Sequence, residues 1–458
     1  MAKPRKIFVC NQCGTTHPKW VGKCNACSEW NSITEETLNS DTGDKLSKYS
    51  ATTDKKIKAR PIELSAIEMG EMRRIPTGDT EFDRVLGGGL VPGSIILIGG
   101  EPGIGKSTLL LKVAFTSSIG NQVLYVSGEE SAEQIKMRAS RMGLGEKKGW
   151  ILAETALENI VQSCNQLKPG LLIIDSIQTM VSSYLESAAG TVSQVRECAS
   201  ALQQFAKSKG IPVILVGHIT KDGAIAGPKV LEHIVDTVLN FEGDRNYVYR
   251  ILRTQKNRFG STDELGIYEM HSSGLEAVVN PSKLLLRQSD EELSGSAIAA
   301  AMEGVRPLLI ETQALVSPAI YGTPQRSATG FDLRRLSMLL AVLEKRGGHQ
   351  LGSKDVFLNL AGGIKIADPS LDLSVAAALL SSLEEIPIPE QICFCGEIGL
   401  SGEVRAVSRI EQRIQEATRL GFTTLFLSHY NSIKGLKKKG LELIPLKRID
   451  EMYGHLFI

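Results

Sequence analysis

The chain has 458 residues, 42% of them apolar and 22% charged, with a formal net charge of +1. That length supports two or three domains, each able to bury its own core, and the near-neutral balance excludes a histone-like basic surface while leaving room for a local basic groove. No apolar run approaches the roughly 18 residues of a membrane span, and the basic start Met1 to Lys6 has no apolar region behind it. Neither a membrane span nor a signal peptide is therefore expected, and the cytoplasm is the expected compartment.

Four of the eight cysteines fall in the first 27 residues, as Cys10-x-x-Cys13 and Cys24-x-x-Cys27, with ten residues between the pairs. Each spacing puts two thiolates on one tight turn, and two turns supply the four soft ligands of a closed tetrahedral Zn²⁺ site. In a reducing compartment this reading prevails over disulfides. A C4 zinc finger is expected over residues 1–33, with metal binding as its folding energy. His17 lies within the loop as either a spare ligand or, with four thiolates available, a surface residue. Lys19, Trp20, Lys23 and Trp30 surround the site and either stack on and neutralise a nucleic acid strand or only cover the metal. Cys164, Cys198, Cys393 and Cys395 are read as plain buried or half-buried residues. Residues 34–60 are polar and lack helical or strand periodicity, which predicts a flexible linker.

From 61 to 285 short apolar runs alternate with helical stretches, the pattern of a mostly parallel sheet with crossover helices. Strands are expected at Ser94 to Ile98, Val123 to Val126, Leu171 to Ile174, Val213 to Val216, Thr237 to Phe241 and Tyr247 to Gln255. After the first comes Gly100-Glu101-Pro102-Gly103-Ile104-Gly105-Lys106-Ser107, the pattern G-x-x-x-x-G-K-S/T between a strand and a helix. Its glycines let backbone N–H groups turn inward around phosphates, Lys106 reaches the β and γ phosphates, and the Ser107 hydroxyl ligates Mg²⁺. Gly100 to Thr108 are the candidate ATP contacts. Asp175, ending a buried strand, is the candidate Walker B carboxylate that holds Mg²⁺ through water. In Ser127-Gly128-Glu129-Glu130 two carboxylates follow the second strand; Glu129 is the first choice for the general base, and Glu130 is either the base or a cap on the next helix. His218 follows the fourth strand, either as a γ-phosphate sensor or as a structural histidine.

The P-loop, the Glu129-Glu130 pair and the element Gly78-Asp79-x-x-Phe82-Asp83-x-x-Leu86-Gly87-Gly88-Gly89 resemble the RecA/KaiC branch of P-loop ATPases. Lys256-Asn257-Arg258-Phe259-Gly260, together with the N-terminal four-cysteine module, is similar to the bacterial RadA (Sms) family of recombination and repair ATPases, over essentially the whole chain. Lys256 and Arg258, at i and i+2 of an extended segment, project to one side as a charged fork with no acidic partner near in sequence. The resemblance implies that this fork acts in trans on a neighbour's nucleotide, and hence a homo-oligomer, with a hexamer expected. It also implies that the loops Ser182 to Gln194 and Lys221 to Lys229 face a central channel, with Lys221 and Lys229 as candidate DNA phosphate contacts.

From Asp355 onward the chain resembles the proteolytic domain of Lon, especially over Gly396 to Arg405. Ser374 falls near the place of the nucleophile, but Glu411 occupies the place of the lysine base, and a carboxylate cannot do neutral-amine chemistry. No protease activity is expected of residues 286–458, which read as a ring-assembling scaffold. Arg405, Arg409 and Arg413 are candidate DNA-guiding residues there, with Arg409 and Arg413 sharing a helical face that either guides DNA or is simply solvated; Lys437 to Lys439 read as a charged loop.

The expected fold class is α/β: a RecA-like ATPase core over 61–285 with an N-terminal four-Cys zinc module and a C-terminal α+β Lon-protease-like domain. The resemblance implies an ATP-, Mg²⁺- and Zn²⁺-dependent, helicase-like, DNA-dependent ATPase of homologous recombination and DNA repair. Its expected partners are single-stranded and branched DNA and a RecA-type recombinase, and its expected action is that of a ring-shaped motor promoting branch migration. The alternative is a KaiC-like regulatory ATPase assembling on protein partners.

Overall fold

The computed structural model describes residues 5–12, 14–38, 63, 65, 74–116, 122–217, 230–243, 248–286, 293–319, 322–433 and 440–458. Contacts divide the chain into two compact units, one of residues 1–245 and 249–277, the other of 246–248 and 278–458.

The first unit opens on a three-stranded antiparallel sheet of β1 (Arg5–Cys10), β2 (Thr16–His17) and β3 (Ile33–Leu38), in the order β2-β1-β3. The expected linker begins inside β3. Its sequence, Ile-Thr-Glu-Glu-Thr-Leu, lacks an apolar alternation because β3 is an edge strand, and its pairing with β1 from Cys10↔Ile33 to Arg5↔Leu38 supplies the backbone bonds instead.

The larger sheet is built on β4 (Ile95–Gly100), β5 (Val123–Ser127), β6 (Trp150–Ala153), β7 (Leu171–Asp175) and β8 (Val213–Val216). It continues through β9 (Thr237–Glu242), β10 (Tyr249–Asn257), β11 (Leu265–His271) and β12 (Gly274–Ala277), in the order β12-β11-β10-β9-β4-β8-β7-β5-β6. β4 to β9 pair in parallel, and β10 to β12 add an antiparallel margin. Every residue of β4, β5, β7 and β8 is buried, as strands covered by helices on both faces must be. The six expected strands are all present, with ends shifted by up to two residues. β6, β11 and β12 have no counterpart among them. β6 is the edge strand of the sheet, an apolar run of four residues, Trp150–Ala153, none of them buried and Trp150 53% exposed.

The second unit is built on a seven-stranded mixed sheet comprising β13 (Ser296–Glu303), β14 (Arg306–Pro318), β15 (Arg326–Thr329), β16 (Lys354–Leu360), β17 (Ile392–Cys395), β20 (Thr424–Ser428) and β21 (Glu442–Leu446). β18 (Glu397–Ile398) and β19 (Val404–Arg405) form a separate pair. The helix Leu371–Glu384 is buried along most of its length and packs on β13, β14 and β17.

Candidate nucleotide site and zinc centre

β4 delivers the phosphate-binding loop at its carboxyl end, and the helix Lys106–Thr116 starts within it. Space requires the glycines. A Cβ on Gly100 would lie 2.8 Å from the Phe241 carbonyl oxygen, and one on Gly105, at φ +115°, would lie 2.9 Å from Leu275 Cδ1. Lys106 Nζ donates to the carbonyls of Gly100 and Glu101, at 2.7 and 2.9 Å. Burial lowers its ammonium to about 8, against the pull of Asp175, Glu129 and Glu101. The charges of all three carboxylates therefore act on the same cation, as expected near a Mg²⁺–phosphate site.

Asp175 is 6% exposed, and the Tyr125 hydroxyl donates to its Oδ2 at 2.5 Å. Burial, and then the Asp175 charge, push the Tyr125 phenol well above its ordinary range, so it stays a donor. Because Ser127 pairs with Asp175 in the β5–β7 register, Glu129 emerges beside the end of β7. There Ser176 Oγ donates to Glu129 Oε1 at 2.7 Å. Glu130 does not cap the next helix. Ser131 does, in a capping box with Gln134, while Glu130 pairs with Arg138.

Tyr125 and Ser176 carry no motif; their partners lie 50 and 47 positions away, so only strand register reveals them. His218, Lys221 and Lys229 lie outside the described residues. In the other expected DNA loop, Gln194 accepts from Ser182 N at 2.9 Å and donates to the carbonyls of Leu185 and Ser187 at 3.1 and 3.0 Å. Its last residues, from Val192, are already helix.

Lys256 and Arg258 are not a joint fork. A bulge between Thr254 and Lys256 interrupts the β9–β10 register, and the two side chains take separate partners. Lys256 Nζ donates to the carbonyls of Glu232 and Val235, at 2.5 and 2.7 Å, closing the end of the helix Val230–Ile234. Arg258 Nη1 reaches Asp236 Oδ1 at 3.3 Å and its main-chain N–H donates to the Asp236 carbonyl at 3.1 Å, so Arg258 has an acidic partner that sequence proximity did not reveal. Asn257 fixes the rest: its Oδ1 accepts from Phe259 N at 3.0 Å and its Nδ2 donates to the Leu86 carbonyl at 3.3 Å.

In the N-terminal module the sulfurs of Cys10, Cys24 and Cys27 lie within 4.8 Å of one another, with Cys10 and Cys27 at 3.7 Å. A tetrahedron with metal–sulfur bonds of ~2.3 Å has edges of ~3.8 Å, so this donor set fits Zn²⁺. Cys13 lies outside the described residues. His17 is not at the surface: it is 7% exposed with Nε2 at 3.6 Å from Cys24 Sγ, because β2 folds it over the thiolates. Trp20 and Trp30 are 58% and 66% exposed, flank Gly22, and carry Lys23 Nζ 5.7 Å from the Trp30 ring. The other four cysteines are buried, and desolvation pushes the thiols of Cys164, Cys198 and Cys395 up to about 12.

In the second unit Ser374 is fully buried, bonded to the Leu371 carbonyl at 2.9 Å and to Thr312 Oγ1 at 3.1 Å, while Glu411 is exposed. Arg409 and Arg413 share no helical face, because Arg409 precedes the helix Ile410–Arg419 with φ +56°. Arg413 is 1% exposed. Its Nη1 bonds Asp368 Oδ2 at 2.8 Å and both Ser370 Oγ and the Ala300 carbonyl at 2.6 Å, which removes it from any DNA-guiding surface. Arg405 is exposed and paired with Glu403 at 2.7 Å. Lys437 to Lys439 lie outside the described residues.

Three family models match: an AAA domain over residues 59–224, the subunit ChlI of Mg-chelatase over 312–431 and a rubredoxin metal-binding domain over 8–35. The DNA repair protein RadA of Bacillus subtilis (strain 168) is 48% identical over 452 residues, 98% of each chain. The chain belongs to the RadA family. RadA of Streptococcus pyogenes serotype M1 is 47% identical over 458 residues, 100% of each chain. Among solved structures, the KaiC-like protein PH0186 of Pyrococcus horikoshii OT3 matches 45% of this chain and 99% of its own, at 22% identity and TM-score 0.39. The RadB recombinase matches 44% and 99%, at 21% and 0.36. The architecture of this chain is a RecA-like α/β core with an N-terminal zinc ribbon and a C-terminal Lon-like domain, and its cofactors are ATP, Mg²⁺ and Zn²⁺.

Proposed function

We propose that this RadA-family ATPase of DNA repair and recombination works as a ring, a hexamer by analogy, that moves on single-stranded DNA and promotes branch migration beside a RecA-type recombinase. In each site the loop Gly100 to Thr108 grips the phosphates, and Lys106 neutralises them. Glu129, oriented by Ser176, takes the proton of the attacking water. Mg²⁺ would be held by Ser107 and Asp175, where it would neutralise phosphate oxygens. Lys221 and Lys229 contact the DNA backbone, and in the zinc ribbon Trp20 and Trp30 stack on the strand while Lys19 and Lys23 neutralise its phosphates. The Lon-like domain is a scaffold without protease activity, a reading supported by the burial of Ser374.

One observation carries the trans assignment. Lys256 is level with Val238, and Val238 with Leu97, while Asp236 N bonds the Ile95 carbonyl. Arg258 thus lies level with the start of β4, and the phosphate loop begins at its far end. Five residues of strand separate the two levels by roughly 16 Å. A cation so placed serves its own nucleotide poorly, which supports its action on a neighbour's.

The test is ATP turnover with and without single-stranded DNA for wild type, Lys106→Ala and Arg258→Ala. Turnover of the wild type rises with DNA, Lys106→Ala loses nucleotide binding or turnover, and Arg258→Ala keeps binding but loses turnover. Mixed rings of the two variants recover hydrolysis. Slow turnover indifferent to DNA would favour the regulatory KaiC-like reading instead.

A further inference from the structure

The carboxylate of Asp236 is 5% exposed yet touches a side chain that is 52% exposed. Its two oxygens are divided between two structures. Oδ2 accepts the main-chain N–H of Ile95 at 3.1 Å, at the start of the strand that carries the phosphate loop, and Oδ1 faces Arg258 Nη1 at 3.3 Å. The backbone doubles both links, since Asp236 N donates to the Ile95 carbonyl at 2.9 Å and Arg258 N donates to the Asp236 carbonyl at 3.1 Å. A guanidinium has five N–H donors in a rigid fork, so the bond at Nη1 leaves further donors on a side chain that is 52% exposed.

We propose that Asp236 is the positioning residue of Arg258: it anchors the guanidinium to β4 and aims its remaining donors at the nucleotide of the neighbouring subunit. The inference rests on the trans reading above. A buried carboxylate restricts the long arginine side chain to a narrow set of rotamers, so that less freedom is lost when it meets phosphate, and a finger held in place stabilises transition-state charge without reorganisation. Because the same carboxylate is bonded to β4, the finger is fixed to the strand that carries its own subunit's phosphate loop. Asp236 touches no substrate; it acts through Arg258.

The inference predicts an asymmetry that a purely structural role does not produce. In rings mixed from Lys106→Ala and Arg258→Ala chains, the working sites have their phosphate loop from the Arg258→Ala chain and their finger from the Lys106→Ala chain. Asp236→Asn, which keeps an acceptor for Ile95 N but removes the charge, is introduced into one chain type at a time. Added to the Lys106→Ala chain, it is expected to lower the recovered turnover about tenfold. Added to the Arg258→Ala chain, it is expected to leave that turnover within twofold. Asp236→Ser, also uncharged, is run in parallel, with melting temperature and ring elution measured for both.

Equal losses in the two placements, a loss confined to the Arg258→Ala chain, or no loss in either would overturn the positioning role while leaving trans action intact. Failure of both variants to fold would make Asp236 a structural residue and overturn it equally. Absence of recovery in the parent mixture, with mixed rings verified, removes the trans reading and this inference together.

Discussion

Ser176 Oγ donates a 2.7 Å hydrogen bond to Oε1 of Glu129, across the gap between the ends of two parallel strands. Ser176 is fully buried, its carbonyl accepts from Thr179 Oγ1 at 2.8 Å, and Glu129 is exposed. A rigid donor thus holds a carboxylate that faces solvent. Such a bond to an ionised group contributes ~1.5–3 kcal/mol.

Ser176→Ala is expected to lower kcat for ATP about tenfold, by letting Glu129 rotate away from the attacking water, while KM changes little. Steady-state turnover over a range of ATP concentrations separates the two parameters. A raised KM at unchanged kcat would instead assign the serine to nucleotide binding.

Cys27→Ala is expected to abolish zinc binding, because it removes one of the clustered thiolates, whose sulfur lies 3.7 Å from that of Cys10, and leaves the tetrahedron open. Elemental analysis of the purified chain measures the loss. The N-terminal sheet then becomes sensitive to limited proteolysis, since the cluster packed on Cys10, Cys24 and Ile33 is too small to hold it.

Trp20→Ala and Trp30→Ala are each expected to weaken single-stranded DNA binding by about 1–3 kcal/mol, the value of one stacked base. Fluorescence anisotropy of a labelled oligonucleotide at fixed salt reads the change. Unaltered affinity in the double variant would leave the rings as cover for the metal.

Arg413→Met is expected to destabilise the second unit by ~3–5 kcal/mol, because it leaves Asp368 charged and buried without its cation. Asp368 sits beside Arg413 at 2.8 Å, and although burial raises its carboxyl, that guanidinium and Ser370 bring it below the ordinary carboxylate range. The double variant Asp368→Leu/Arg413→Met is expected to recover part of the loss. Urea unfolding followed by hydrogen exchange in the helix Leu371–Glu384 resolves the effect from the first unit.

The amino-acid sequence by itself determined the chemistry that contiguous residues can encode. The strand–glycine loop–helix of Gly100 to Ser107, the paired thiolate turns and the four fully buried strands are written in local spacing, because backbone geometry and apolar runs of that kind need no distant partner to be recognised. The tertiary structure alone decided where the cations point. Arg413, expected on a surface, is drawn into the core by Asp368; Arg258, expected without an acidic partner, meets Asp236 22 positions away; His17, by sequence either a spare ligand or a surface residue, is folded over Cys24. Long charged side chains and imidazoles take whichever partner the register of paired strands brings within ~3 Å, and that register is a property of the whole sheet.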